Sequence, residues 1–152
     1  MVGSVPNPPA RPPEVVVMVG LQGSGKSTWV ARHLAATHEI VSKDHWPNAR
    51  HRERRQRRVL NELLAAGRDV VVDNTNPAPA DRAPIIEIAR AHGATVRAVY
   101  LDVPLHICLA RNENRQGRAR VPLVGVLAAL KRLVPPSADE GFDRVDTVTT
   151  GP

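Results

Sequence analysis

The run Gly20-Leu21-Gln22-Gly23-Ser24-Gly25-Lys26-Ser27 leaves little freedom to the fold around it. Before it stands Glu14-Val15-Val16-Val17-Met18-Val19, a β-branched run without polar alternation, the pattern of a parallel strand buried on both faces. After it comes Thr28 and a stretch of helical composition from Lys26 to about Thr37. A strand that feeds a glycine-rich turn and then a helix aims backbone N–H groups and the positive end of the helix dipole at one point. The spacing G-x-x-x-x-G-K-[ST] is that of a polyphosphate cradle. Gly23, Ser24 and Gly25 let the chain curl, Lys26 reaches the β- and γ-phosphate oxygens, the Ser27 hydroxyl ligates Mg²⁺, and Thr28 meets the α-phosphate. The expected ligands are a nucleoside triphosphate, ATP foremost, and magnesium.

Strand and helix patterns alternate along the rest of the chain. Glu39–Ser42 reads as a strand. Asn48 to Ala66 reads as a helix, with Val59, Leu60, Leu63 and Leu64 on one face and Gly67 as its stop. Asp69–Asp73 is a second buried-strand run. A helix from Ala80 to His92 closes at Gly93, a strand covers Thr95 to Leu101, and Pro104 opens a helix running to about Asn114. Residues 115–120 read as an exposed loop, Pro122 to Leu133 as a helix and Arg144–Thr149 as the last strand. Such alternation predicts an α/β domain with about five parallel strands and helices on both faces. Residues 1 to 13, with five prolines, read as a disordered leader, and 14–152 as one domain.

Composition removes several classes. With 152 residues, 42% of them hydrophobic, the chain has material for one core. No apolar run approaches the roughly 18 residues of a membrane span, and no signal peptide is visible, so a soluble cytoplasmic protein is expected. Cys108 stands alone, which excludes an internal disulfide and a cysteine-built zinc cage, and the six histidines show no metal-ligand spacing. The formal charge of +6 points to an anionic partner such as a nucleotide or nucleic acid.

Three elements bear on what receives the phosphate. Ser42-Lys43-Asp44 ends the second strand, on the side of the sheet where the cradle lies. Asp44 there either accepts a proton from an attacking hydroxyl or caps the following helix. Asp73-Asn74-Thr75-Asn76-Pro77 follows the third strand. Asp73 occupies the position of a carboxylate that holds Mg²⁺ or its water shell, and Asn74 and Thr75 offer donors and acceptors beside the crevice; the run also suits a turn closed by Asx hydrogen bonds. Arg111, Arg115 and Arg118 recur at helical spacing, with Arg120 beyond. They form either a lid that neutralises phosphate charge or a solvated face.

Taken together, these stretches resemble the kinase module of the polynucleotide 5′-hydroxyl kinases of phage and of eukaryotic kinase/phosphatases, within the P-loop NTPases. The resemblance rests on Gly20 to Trp29, Ser42-Lys43-Asp44, Asp73 to Pro77, Arg111-Asn112-Glu113-Asn114-Arg115, Val121-Pro122, and Pro135-Pro136 through Glu140-Gly141-Phe142. It implies a three-layer α/β/α sandwich with an Arg-bearing lid at about 111–121, and transfer of the γ-phosphate of ATP to 5′-hydroxyl ends of DNA or RNA. Lys26 and Ser27 would bind ATP·Mg²⁺, with Arg111 near the nucleotide, and Asp44 would be the general base. Arg115 would be the lid arginine on the donor phosphates, Asp73 would sit beside metal and acceptor, and Arg82 would touch the acceptor's phosphate backbone.

The chain departs from the phage-type pattern in having Pro47 where an arginine follows the aspartate by three residues. No Asp-x-Asp phosphatase motif is present, so a phosphatase or ligase step would fall to a separate protein. Trp46 is the candidate to stack on a terminal base, or else it packs. The basic run Arg50 to Arg58 lines an approach for a nucleic-acid strand or is a solvated helix face. Two rivals share the machinery: a kinase of a small hydroxyl acceptor, and a nucleotide-dependent binding module that hydrolyses ATP slowly.

Overall fold

In a computed structural model, which describes residues 11–47 and 50–149, the valine-rich runs become the inner strands of one sheet. In chain order the elements are β1 (Glu14–Val19), α1 (Lys26–His33), β2 (Glu39–Val41), α2 (Arg52–Ala65) and β3 (Val70–Val72). They continue with α3 (Pro79–Ala91), β4 (Thr95–Asp102), α4 (Leu105–Glu113), α5 (Leu123–Arg132) and β5 (Arg144–Thr149). Short 3₁₀ turns occupy Lys43–His45, Gly117–Ala119 and Ala138–Glu140.

All strands are parallel, in the order β2-β3-β1-β4-β5. β1 is central, with Val16 opposite Val71 on one side and Arg97 on the other. The chain leaves β1 between strands that follow in opposite directions across the sheet, the switch point where ligands of open α/β sheets bind. Each face of β1 has its own core. Val15, Val17 and Val19 meet Leu60 and Leu64 of α2 and Ile85, Ile86 and Ala89 of α3. Val16 and Met18 meet Val30 of α1, Cys108 of α4 and Ala129 of α5. That double burial accounts for a run without polar alternation. At about 1.5–3 kcal/mol for each fully buried aliphatic side chain, it anchors the turn after β1 rigidly.

The expected α/β/α architecture is therefore present, with two boundary differences. α1 stops at His33 rather than near Thr37, because buried Leu34 turns out of helical geometry at φ −127° and exposed Ala35 and Ala36 have no apolar face to extend. α2 begins at Arg52, whereas the expected start at Asn48 lies outside the described residues. Of the expected leader, residues 1–10 lie outside them too. Arg11 already pairs with Asp69, and the Pro13 carbonyl accepts from the Thr95 N–H. No helix among the described residues is long and apolar enough to cross a membrane.

Candidate active site

The cradle is shaped by backbone that only glycine permits. Gly23 and Gly25 sit at φ +83° and +96°, and a Cβ on Gly23 would lie 2.3 Å from the carbonyl oxygen of Cys108. The loop is thus pressed against α4. Within it the Lys26 ammonium donates to the Gly20 and Leu21 carbonyls, each at 2.9 Å. Ser27 Oγ donates to Asp73 Oδ2 at 2.9 Å, joining the start of α1 to the end of β3. Two adjacent hard oxygens of this kind suit Mg²⁺, which prefers oxygen ligands. The Ser24 hydroxyl is buried in the wall of the cradle, without a partner among the described residues.

Burial pushes the Lys26 pKa down from 10.5 to about 8, with Asp73 opposing the shift and Arg115 adding to it. A polyphosphate favours the ammonium, so binding above about pH 8 must take up a proton. Triphosphate affinity should fall by up to about tenfold per pH unit above that value. Calorimetry at pH 9 in buffers of different ionisation enthalpy should show proton uptake near one that vanishes at pH 7; buffer-independent heats at pH 9 would exclude this. The same shift implies that the free fold gains stability as pH rises from about 8 to 10.5, where the unfolded chain holds the proton more tightly.

Two cavities flank the cradle. One, of about 470 Å³, is lined by Gly23, Gly25, Thr28, Trp29, Arg111 and Arg115 among others. The second, of about 820 Å³, takes in Lys26, Ser27, Asp44, Asp73, Thr75 and again Arg115. Lys26 and Ser27 stand at the border, and Arg115 belongs to both sides. The arrangement suits a donor nucleotide in the first cavity and an acceptor in the second.

Asp44 is the middle residue of the turn Lys43–His45 and is exposed. Its N–H donates to Ser42 Oγ at 3.2 Å, while its carboxylate makes no hydrogen bond or ion pair among the described residues. It does not cap α2, which begins eight residues later at Arg52. Asn74 sets this turn in place. Its Oδ1 accepts from the Lys43 N–H at 2.9 Å and its Nδ2 donates to Gln56 at 2.7 Å. Asn74 lines the second cavity and at the same time braces the aspartate turn, with one of its two Nδ2 hydrogens engaged. Asn76, at φ +44°, likewise donates to the Met18 carbonyl and ties the loop to β1.

Two further expectations change. Arg82 does not face an acceptor. It is fully buried, donates from Nε and Nη2 to the two oxygens of Glu140 at 2.8 and 2.9 Å, and reaches the carbonyls of Asn76 and Pro77. Trp46 packs against the core beside α2, with the Arg55 guanidinium 4.8 Å from its ring centroid, and does not line either cavity. Stacking on a base is replaced by packing and a cation–π contact.

Arg111 and Arg115 line the first cavity without sharing a helix face. α4 ends at Glu113, Arg111 donates to the Ser24 carbonyl at 3.2 Å, and Arg115 folds over to the Ala119 carbonyl at 3.3 Å. Arg120 pairs with Glu113. The side chain of Arg118 lies outside the described residues. Buried Asn112 closes the base of this segment, its amide exchanging two hydrogen bonds with Val121 at 2.6 and 2.9 Å. Sequence reasoning placed Asn112 in a matching stretch but gave it no task; a polar side chain within the apolar face of α4 was the available signal.

A protein-family model described as an AAA domain matches residues 15–136. A protein of Acanthamoeba polyphaga mimivirus, provisionally named as a bifunctional polynucleotide phosphatase/kinase, is 30% identical over 91% of this chain and 34% of its own length. The chain spans about a third of the first curated relatives that it matches. A fungal RNA kinase shares the fold at a TM-score of 0.68 and 16% identity, over 91% of this chain and 76% of that one. A Mycobacterium tuberculosis APS kinase, solved with AMPPNP and APS, aligns at a TM-score of 0.56 and 25% identity, over 70% and 71% of the two chains. The matched segment runs from the first core strand through the cradle, the aspartate turn and the arginine-bearing stretch after α4, and this chain belongs to the AAA-domain family, on the fold of the P-loop kinases.

Proposed function

We propose that this domain transfers the γ-phosphate of ATP to the 5′-hydroxyl end of a DNA or RNA strand. The observation that carries the reading is Asp44. It offers an uncommitted carboxylate in the cavity that shares Lys26, Ser27 and Arg115 with the nucleotide cradle. A carboxylate there can take the proton of an attacking hydroxyl, as a phosphotransferase requires and a slow hydrolase does not. The polynucleotide kinase relatives favour a nucleic-acid end as the acceptor.

In this mechanism Gly23, Ser24, Gly25 and the start of α1 hold the donor phosphates through backbone N–H groups. Thr28 and Arg111 complete the nucleotide side. Lys26 exchanges its two loop carbonyls for phosphate oxygens, and Arg115 brings a second cation to the charge that builds up during transfer. Ser27 and Asp73 would hold Mg²⁺, which neutralises phosphate charge when bound. Asn74 keeps the Asp44 turn in register, and Thr75 retains a hydroxyl toward the acceptor cavity.

The test is transfer of labelled γ-phosphate from ATP and Mg²⁺ to oligonucleotides. Label should appear on 5′-hydroxyl strands and be absent from matched 5′-phosphate strands. Tight ATP binding without label on either DNA or RNA would sink the polynucleotide reading and leave a small hydroxyl acceptor. No phosphate partition to any acceptor, with acceptor-independent ADP release, would instead indicate a nucleotide-dependent binding module. A separate phosphatase or ligase acting on the same ends is part of the proposal, as is a cytoplasmic site of action.

A further inference from the structure

We infer that Arg52 holds the first internucleotide phosphate of the acceptor, and so favours a strand over a neutral alcohol. This rests on the polynucleotide reading above and adds to it the residue that recognises the strand.

The acceptor cavity is rich in cations. Lys26, Lys43, Arg52, Arg115 and Arg132 all border it. Three of these are engaged elsewhere and a fourth serves both cavities. Lys26 lies on the loop carbonyls, Lys43 pairs with Glu53 at 2.6 Å, and Arg132 makes a two-point contact with Asp81 at 2.9 and 3.1 Å. Arg115 is shared with the nucleotide cavity. Arg52, like Lys26 and Arg115, makes no ion pair among the described residues, and of these three it is the one that bonds to the turn carrying Asp44. Its single hydrogen bond, Nη1 to the Lys43 carbonyl, is 3.4 Å long, beyond the usual range and readily exchanged.

Weak as it is, that contact shows where Arg52 stands. The Lys43 carbonyl opens the peptide link to Asp44, so the guanidinium hangs beside the turn that carries the proposed base. A hydroxyl presented to Asp44 brings its neighbouring phosphodiester to this part of the cavity. Pro47, in the same wall, has no donor to meet it. The helix does not explain Arg52, which is the first residue of α2, where a cation opposes the dipole. A planar guanidinium matches two phosphate oxygens at once, whereas a sugar or other neutral alcohol offers it no counter-charge.

The experiment compares two 5′-hydroxyl oligonucleotides, one natural and one with a neutral methylphosphonate at the first internucleotide linkage. The Arg52→Gln protein should show a KM for the natural strand raised about 10- to 100-fold, the range of a charge-assisted hydrogen-bonded contact, with kcat within about twofold. For the methylphosphonate strand its KM should match that of the unsubstituted protein. Arg52→Lys should recover part of the loss. An equal KM rise on both strands, no rise on either, or a fall confined to kcat would overturn the assignment. Failure of the unsubstituted protein to label any strand would overturn the polynucleotide reading itself and this inference with it. Arg52 is exposed, so an unchanged melting temperature is expected and confirms that the variant is folded.

Discussion

Asp44→Asn should lower transfer to a 5′-hydroxyl strand by about 10²–10⁴-fold, the usual contribution of a positioned general base. ATP affinity should stay within about threefold, and the melting temperature should not move. The three outcomes follow from one geometry. The Asp44 carboxylate makes no bond among the described residues, its backbone keeps the contact to Ser42 in the variant, and Asn74 grips the turn through the Lys43 N–H rather than through Asp44. The substitution changes one oxygen to nitrogen and removes the capacity to accept a proton, leaving the shape of the cavity intact. Turnover within about tenfold of the original would mean that the hydroxyl loses its proton elsewhere. A fall in melting temperature would mean that the carboxylate supports the fold in a way the free protein does not reveal. Equilibrium binding, single-turnover transfer and a thermal melt on the same preparation distinguish these.

What could be read from the sequence, and what could not, separates along local and non-local lines. The cradle was legible because its chemistry is contiguous. Eight residues, the strand before and the helix after specify it, and Lys26, Ser27 and Gly23 stand where that spacing puts them. The sheet was legible for the same reason, since Val15–Val19 and Val70–Val72 declare burial on both faces. Asp44 was half legible: its place at the end of β2 was clear, but only the late start of α2 removes the capping alternative. The clear misreading fell on a residue whose partner is far along the chain. Arg82 finds Glu140, 58 residues on, and that pair has no local signature, whereas for Asn74 and Trp46 the sequence left open the bracing and packing that they show with Gln56 and Arg55. A position matched to a family's basic residue shows where a charge stands, not whether it faces a ligand or an internal carboxylate.

Arg82→Met provides the sharpest test of that correction and the largest expected loss of stability, about 3–5 kcal/mol, the cost of removing one partner from a buried ion pair. Arg82 is 0% exposed and Glu140 14%, so the substitution leaves a largely desolvated carboxylate facing an apolar side chain. It also removes the Arg82 donor from the Asn76 carbonyl, loosening the segment that carries Asp73 and Asn74, while the Pro77 carbonyl keeps the Val134 N–H at 2.8 Å. At about 2–4 °C per kcal/mol for a domain of this size, the melting temperature should fall by roughly 10 °C. Glu140 Oε2 also accepts from the Ser137 N–H at 2.9 Å, so neutralising the side chain without deleting it keeps an acceptor for that turn. The double variant Arg82→Met, Glu140→Gln should therefore regain part of the stability, which independent sites would not do. A residue that gripped the acceptor would behave in the opposite manner. Arg82→Met would then melt at the original temperature and show its defect only in the KM for the strand. The four hydrogen bonds that Arg82 makes inside the protein leave its guanidinium engaged on every side the fold presents, and they predict the first outcome.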